Sequence, residues 1–478
     1  MDHYDLIVIG SGPAGEKGAA QAAYFGKRVC LVERAPRPGG AAVNTGTIPS
    51  KALRETALYF SGLRQRGLYG VDYTVKENIT VADFMFRERT VIEAEWALID
   101  ENLKRHGIEQ IQGSAQIIDD HTVEVTRYGK DAQRITGEFI LVATGSHPQQ
   151  PDDVAVDGEI IVDSDTLLTL EKIPQQMIVI GGGVIGCEYA CTFAAMGVRV
   201  TIINSRSRLL AHLDPEVSDA LRQQMTSRLG IQVILDATVT SIVNDGARGQ
   251  LTIGTDTHLN ADCILFSAGR LGCISGLGLD AAGVKTNSRQ YIVVDEHYRT
   301  SVPSIFAAGD VIGFPALAST SMEQARVAVC HAFDLKYKQR VSTVLPYGVW
   351  TIPEIATVGE TPEQLSTRGI EFEVGRSSFR TNPRGQIIGD TEGFVKLLFS
   401  PDDQRLLGVS VVGEGACELI HIGMGCLAND GSLDYFIQSV FNYPALADAY
   451  KYAAYDGLQA IARRHGKQEG LKQVRSGQ

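Results

Sequence analysis

No two of the eight cysteines stand in the C-x2-C spacing of a zinc site or a thioredoxin-like pair, so neither reading is available from pattern, and no metal site is expected. No apolar run reaches the length of a membrane span before a glycine breaks it, and no span is expected. Positive charge is in deficit: 44 Lys and Arg against 56 Asp and Glu leave a formal net charge of -12. Such a surface suits a polyanion poorly, because affinity for phosphate backbones rests on Lys and Arg, and nucleic acid is not an expected partner. The opening residues Met1-Asp2-His3-Tyr4-Asp5 are polar and run directly into a strand, so no leader peptide is expected. With the absence of a disulfide framework, this points to a reducing, cytoplasmic setting. Cys187 and Cys191 stand i,i+4 on a predicted helix and read as packing residues.

What is present begins with length. A chain of 478 residues exceeds what one hydrophobic core serves, and an apolar content of 44% with 21% charge predicts a folded globule of two or three domains. The chain carries 50 glycines, which implies many tight turns and close approaches of backbone to ligand.

Those glycines fall into a repeated pattern. Residues 4–10, YDLIVIG, form an apolar strand running into GSGPAG, with Gly10, Gly12 and Gly15. An alanine-rich helix follows, then the strand VCLVE, which ends at Glu33, 18 residues after Gly15. This is the β-α-β dinucleotide fingerprint. The first glycine makes the tight turn, the second lets the backbone approach a pyrophosphate, and the third lets helix and strand pack closely. The helix N-terminus presents unpaired N–H groups and the positive end of its dipole, and Glu33 stands where an acid accepts hydrogen bonds from a ribose. The unit recurs as QQMIVIGGGVIG, with Gly181, Gly183 and Gly186, then a helix and VRVTIIN, which places Asn204 18 residues after Gly186. Two complete copies predict two dinucleotide sites and electron transfer between their occupants.

FILVATGSHP (139–148) and ADCILFSAGR (261–270) each read as a strand closing in a glycine turn. SIFAAGDV (304–311) is an apolar strand with Asp310 at its end, where the acid either binds a ribityl or phosphate-linked hydroxyl or caps the following segment. Proline and glycine thicken near 346–362, and the texture beyond reads as antiparallel strands with helices toward the end.

Taken together, GSGPAG, Glu33, GGAAVNTGTIPSK (39–51), ATGS (143–146), GGGVIGCE (181–188), AGR (268–270) and AAGDV (307–311) resemble the class I pyridine nucleotide–disulfide oxidoreductases, within which the chain looks most like the soluble pyridine nucleotide transhydrogenases. The resemblance implies an α/β fold of two Rossmann-like domains plus a C-terminal α+β dimerisation domain. The FAD-binding domain would comprise 1–150 and 280–345, the NAD(P)-binding domain 151–279 and the dimerisation domain 346–478. FAD would be held by Gly10, Gly12, Pro13, Ala14, Gly15, Glu33, Arg34, Gly40, Ala41, Thr45, Gly46, Lys51, Ala115, Thr144, Gly145, Gly309, Asp310 and Ala318. NAD(H) and NADP(H), as substrates, would meet Gly181, Gly183, Val184, Ile185, Gly186, Glu188, Asn204, Ser205, Arg206, Arg208 and Gly269. Lys51, beside the flavin, and Glu188, on the nicotinamide side, are the implied catalytic residues, with a Lys51–Glu188 pair implied as well. The implied assembly is a homodimer, with larger homo-oligomers left open.

The chain departs from its disulfide-reducing relatives in two places. Where they carry C-x4-C, it has Ala42 and Thr47, and neither can supply a thiolate. Thr47 either hydrogen-bonds near the flavin or fills space. Where relatives carry His-Pro with a glutamate four residues past the proline, FNYPALADAY places Tyr443 before Pro444 and Asp448 at the glutamate position. A phenol with an ordinary pKa of about 10 is a poor base at neutral pH. Thiols and base are absent together, so electrons are expected to enter and leave at the flavin. The expected reaction is hydride exchange, NADPH + NAD+ = NADP+ + NADH, by ping-pong reduction of FAD. The alternative is an NAD(P)H dehydrogenase that passes electrons to a quinone or another small acceptor. Selectivity should lie in INSRSRLLAH: neutral Asn204 tolerates a bare ribose, while Ser205, Arg206 and Arg208 suit a 2'-phosphate, with Arg206 favoured for most of that work. Cys273, in GRLGC, replaces an asparagine frequent among relatives and implies a slightly looser loop.

Overall fold

A computed structural model describes residues 1–62, 68, 79–127, 129–150 and 154–476. The expected domain boundary at 150–151 runs into residues 151–153, which lie outside the described residues. By packing, the chain forms two compact units. The first comprises 1–53, 80–172 and 266–342; the second comprises 54–79, 173–265 and 343–478.

The first unit is built on a parallel sheet in the order Glu109–Gln112, Val29–Glu33, Asp2–Ile9, Gln133–Val142, Ile305–Ala307. An antiparallel pair, Thr122–Thr126 and Ser114–Ile117, extends it from the first half of Gln133–Val142. The central strand is apolar over its second half, Leu6 to Ile9, where both of its faces are covered. Leu6 and Val8 join one core with Leu31, Leu141 and Phe306; Ile7 and Ile9 join the other with Cys30, Val32 and Ile140. Each fully buried side chain of this size contributes about 1.5–3 kcal/mol. Helices Pro13–Tyr24 and Ala318–Ala332 lie together over the first core.

The second unit repeats the parallel arrangement. Gln232–Ile234, Arg199–Ile203 and Gln176–Ile180 are parallel neighbours, with Cys263–Phe266 next in the order. Its helix Val184–Ala195 is apolar on nearly every side and buried along nearly its whole length, as expected of a helix covered all round. A three-stranded antiparallel sheet covers Val239–Asn244, Gly249–Ile253 and Thr257–Ala261. The C-terminal part is a five-stranded antiparallel sheet, Tyr347–Val349, Ile355–Gly359, Leu406–Val412, Phe394–Phe399, Glu373–Ser378. Helices Ala416–Ala428 and Ala449–Ser476 pack on it around Phe399, Phe436 and Tyr450. The expected fold class is the one found: two Rossmann-like α/β regions and a C-terminal α+β domain. No helix among the described residues is long and apolar enough to cross a membrane.

Candidate nucleotide and redox sites

In the first unit the strand Asp2–Ile9 hands over to helix Pro13–Tyr24 through a turn only glycine can make. Gly10 has φ +100°, and a Cβ on it would lie 2.4 Å from the carbonyl oxygen of Ala143. A Cβ on Gly15 would lie 1.8 Å from the carbonyl oxygen of Gly10, so the third glycine sets how closely helix and turn approach. Gly12 differs: nothing lies closer to its Cβ position than Gly40 Cα at 3.8 Å. It is the N-cap, no side chain caps the helix, and Pro13 follows it. The helix therefore begins with N–H groups that no side chain claims, beside space that any larger residue would fill. That cradle fits a pyrophosphate.

Glu33 is fixed by three hydrogen bonds. Oε2 accepts from Ser11 N–H at 2.8 Å and from the Ser11 hydroxyl at 2.7 Å, and Oε1 accepts from Ala35 N–H at 2.7 Å. The Glu33 carbonyl accepts from Gly113 N–H, two residues before half-buried Ala115. Gly39 N–H donates to Ser11, and a Cβ on Gly40 would lie 2.8 Å from Gly12 Cα, so the 39–46 segment packs directly on the glycine turn. Ala41 lies in the short helix Gly40–Asn44, whose C-cap is Thr45, and Gly46 O accepts from Ser50 N–H. The next helix is Thr47–Ser61. Ala42 is half-buried and Thr47 exposed. Lys51 Nζ donates to Ser50 Oγ at 3.2 Å.

Asp310 is brought to the same place. Gly309, at φ +82°, would carry its Cβ 3.2 Å from Ala14 Cβ, which sets Asp310 beside the first helix N-terminus. Ser146 Oγ donates to Asp310 Oδ2 at 2.8 Å, and Arg270 donates from Nε to Ser146 Oγ and from Nη2 to Ser146 O, both at 2.8 Å. Asp165 stands 3.9 Å behind Arg270, and its burial pushes its carboxyl up despite that cation. Thr144 Oγ1 donates to Cys273 O at 2.8 Å and Cys273 N–H donates to Gly145 O at 2.9 Å. The Cys273 loop is thus tied by its main chain to Thr144 and Gly145. Arg34 is exposed and Ala318 opens the helix packed on Pro13–Tyr24. Sequence reading did not assign roles to Ser11, Ser146 or Arg270, although the last two lie inside the ATGS and AGR segments it quoted.

The second unit repeats the turn. Gly181 has φ +111° and its N–H donates to Ile203 O at 2.9 Å, as Gly10 N–H donates to Val32 O at 2.8 Å. Gly183 caps Val184–Ala195 with no side-chain bond and with nothing within 4 Å of its Cβ position. Val184, Ile185 and Gly186 form that helix's first turn. Asn204 Oδ1 accepts from Gly182 N–H at 3.1 Å, while its amide donates to the carbonyls of Arg206 and Arg208, both at 3.0 Å. Asn204 is therefore buried and occupied with shaping its own loop. Ser205 and Arg206 are exposed. Arg208 is not: it donates to Glu363 and to Ala211 O. Glu188 is buried and accepts from Trp350 N–H at 2.9 Å. Burial, and secondarily the Glu188 charge, push the Tyr347 phenol up to about 12. Gly269 and Lys51 belong to the first unit, whereas Glu188 and the other expected nicotinamide-nucleotide residues belong to the second.

None of the eight cysteines forms a disulfide; Cys273 is half-buried and the rest are buried. Desolvation pushes the Cys30 and Cys191 thiols up to about 12 and Cys426 up to about 11, and it raises Cys187 and Cys273 as well. Tyr443 is 74% exposed, and His421 lies within the helix Ala416–Ala428. Among the described residues no cluster of three or more His, Cys, Asp or Glu could hold a metal ion.

Comparison with known proteins places these features in context. Residues 4–332 match the model for pyridine nucleotide-disulphide oxidoreductases, and residues 345–454 match the dimerisation domain of that family. The soluble pyridine nucleotide transhydrogenase of Mycobacterium bovis is 43% identical over 96% of this chain and 98% of its own length. Its namesake in Colwellia psychrerythraea is 37% identical over the same shares. Among solved structures, LpdA from Mycobacterium tuberculosis superposes with a TM-score of 0.88 at 27% identity, covering 95% of this chain and 99% of that one. The HOCl-induced flavoprotein disulfide reductase RclA from Escherichia coli, in its Cu(II) complex, superposes at 0.85 with 26% identity, covering 95% and 99%.

Proposed function

Since this chain belongs to the pyridine nucleotide-disulphide oxidoreductase family, and at that level is an FAD-dependent oxidoreductase using NAD(P)H, we propose that it oxidises NAD(P)H and delivers the electrons to a small acceptor with no disulfide relay. The observation that carries this reading is the pair Ala42 and Thr47, together with eight cysteines of which none is in a disulfide. Disulfide reduction needs a thiolate, and the buried thiols pushed up to 11–12 are protonated at neutral pH.

Bound FAD would supply the two-electron chemistry, accepting from a reduced nicotinamide and giving to the acceptor. In this reading the first glycine turn and the open start of Pro13–Tyr24 hold its pyrophosphate, and Glu33, already fixed by Ser11, accepts from its ribose. Arg270 and Ser146 hold the Asp310 carboxylate in one orientation toward the bound group. Gly183 and the start of Val184–Ala195 do the same work for the nicotinamide nucleotide. Lys51 is assigned to the flavin and Glu188 to the nicotinamide; the Trp350 N–H fixes the direction in which Glu188 presents its carboxylate.

On this level a quinone or similar small molecule is the acceptor. A second reading is favoured by the name of the relatives at 43% and 37% identity: the acceptor is a second nicotinamide nucleotide, and the reaction is NADPH + NAD+ = NADP+ + NADH. The neutral Asn204 beside exposed Arg206 is compatible with both nucleotides. Residues 346–478 are assigned to a homodimer contact, supported by exposed Tyr435, Val440, Tyr443, Tyr452 and Tyr455.

Stopped-flow mixing with NADPH should bleach the oxidised-flavin absorbance. Recovery on adding a quinone but not NAD+ selects the dehydrogenase; recovery with NAD+ at comparable rates selects transhydrogenation. Enzyme-like turnover of lipoamide or glutathione disulfide would overturn both.

A further inference from the structure

The two arginines of the loop after Arg199–Ile203 are in different electrostatic states. Arg206 is exposed and, among the described residues, enters no ion pair. Its charge is felt by His212, whose pKa is lowered first by burial and then by Arg206. Arg208 is claimed at both ends of its guanidinium. Nη1 donates to Glu363 Oε1 at 3.1 Å, Nη2 donates to Glu363 Oε2 at 2.9 Å, and Nη2 also donates to Ala211 O at 3.0 Å. Glu363 is itself held in place. It lies in the first turn of Pro362–Thr367, whose start is pinned by reciprocal bonds between Thr361 and Gln364.

A guanidinium binds a carboxylate or a phosphate with the same two-pronged edge, and one edge cannot serve both at once. We propose that Glu363 is a specificity-determining residue. By occupying Arg208 it leaves Arg206 as the arginine of this loop offered to a 2'-phosphate, and so keeps NADP(H) close in affinity to NAD(H). This rests on reading the second fingerprint as a nicotinamide-nucleotide site. The Glu363 side chain is 54% exposed, so the pair is weakened by solvent and its effect on binding is modest, about fivefold. Arg206 was the arginine favoured from INSRSRLLAH, but the partner that occupies Arg208 was not legible there; Glu363 lies 155 residues further along the chain.

The test is calorimetric titration of the FAD-containing enzyme with 2',5'-ADP and 5'-AMP, which differ by the phosphate at issue. Glu363→Gln should tighten 2',5'-ADP about fivefold and leave 5'-AMP within about twofold. Arg208→Gln should change 2',5'-ADP binding by less than about twofold alone, yet abolish the gain when combined with Glu363→Gln. An unchanged ratio of the two affinities in Glu363→Gln, or a parallel shift of both ligands, would overturn the role of Glu363 while leaving the nucleotide site standing. Failure of either ligand to bind the wild-type enzyme would remove that site and the inference with it.

Discussion

Asn204 stands to Gly182 as Glu33 stands to Ser11: each side chain accepts from the N–H of the second residue of its glycine turn, at 3.1 Å and 2.8 Å. The polar residue at the end of the second strand therefore has a task inside the protein, whatever it does for a ribose. Asn204 differs from Glu33 in also donating, to two carbonyls of its own loop. An acid there would set a carboxylate oxygen against those carbonyls. Asn204→Asp is expected to lower the melting temperature and weaken 5'-AMP and 2',5'-ADP alike, where a pure change of ribose selectivity would spare 5'-AMP. The cost per buried unsatisfied group is about 1–3 kcal/mol. Thermal melts and titrations of the same variant check both halves.

The Arg54 guanidinium lies 3.2 Å from the Glu354 carboxylate, with 3% and 9% of the two side chains exposed, and its Nε donates to Thr351 O at 3.0 Å. Burial raises the Glu354 carboxyl even with Arg54 beside it, so the ionised pair is held at a cost. Removing one partner leaves a buried charge without its counter-ion. Arg54→Met should destabilise by about 3–5 kcal/mol in urea unfolding, and Arg54→Met with Glu354→Leu should recover most of that. Equal losses in single and double variants would refute the pairing.

Thiol accessibility separates the described cysteines. A thiol reagent at pH 8 should modify at most one cysteine of the native protein, half-buried Cys273, and all eight after denaturation. Cys30 and Cys191 also fix a pH dependence. Their folded pKa values of about 12 lie above the ordinary thiol value of 9.0, so between those limits the folded chain keeps protons the unfolded chain has lost. Their contribution is complete below pH 9 and declines as pH rises toward 12. Chemical denaturation across that range should show the decline, and Cys191→Ala should flatten it.

Val440 is 95% exposed and Tyr443 is 74% exposed. Both lie in the segment that matches the dimerisation domain of the family. Val440→Asp with Tyr443→Asp should move the protein from dimer to monomer in sedimentation velocity. A wild-type chain that sediments as a monomer would dismiss the assignment of residues 346–478 to a dimer contact.

Much of this protein was determined by local sequence. The glycine turns at Gly10 and Gly181 were legible because no other residue adopts their positive φ in so little space, and the central strands because the stretch of a strand covered on both faces must be apolar. Ala42 and Thr47 were equally plain, since a missing thiol leaves no room for interpretation. Partnership was decided only by the tertiary structure. Nothing near Arg54 in the chain announces Glu354, nothing in INSRSRLLAH announces the Glu363 that occupies Arg208, and Ser146 shows its purpose only when folding brings Arg270 and Asp310 against it. The physical reason is that backbone conformation and burial are fixed over a few residues, whereas the state of a charged or hydrogen-bonding side chain is set by whichever group the fold carries within about 3 Å of it.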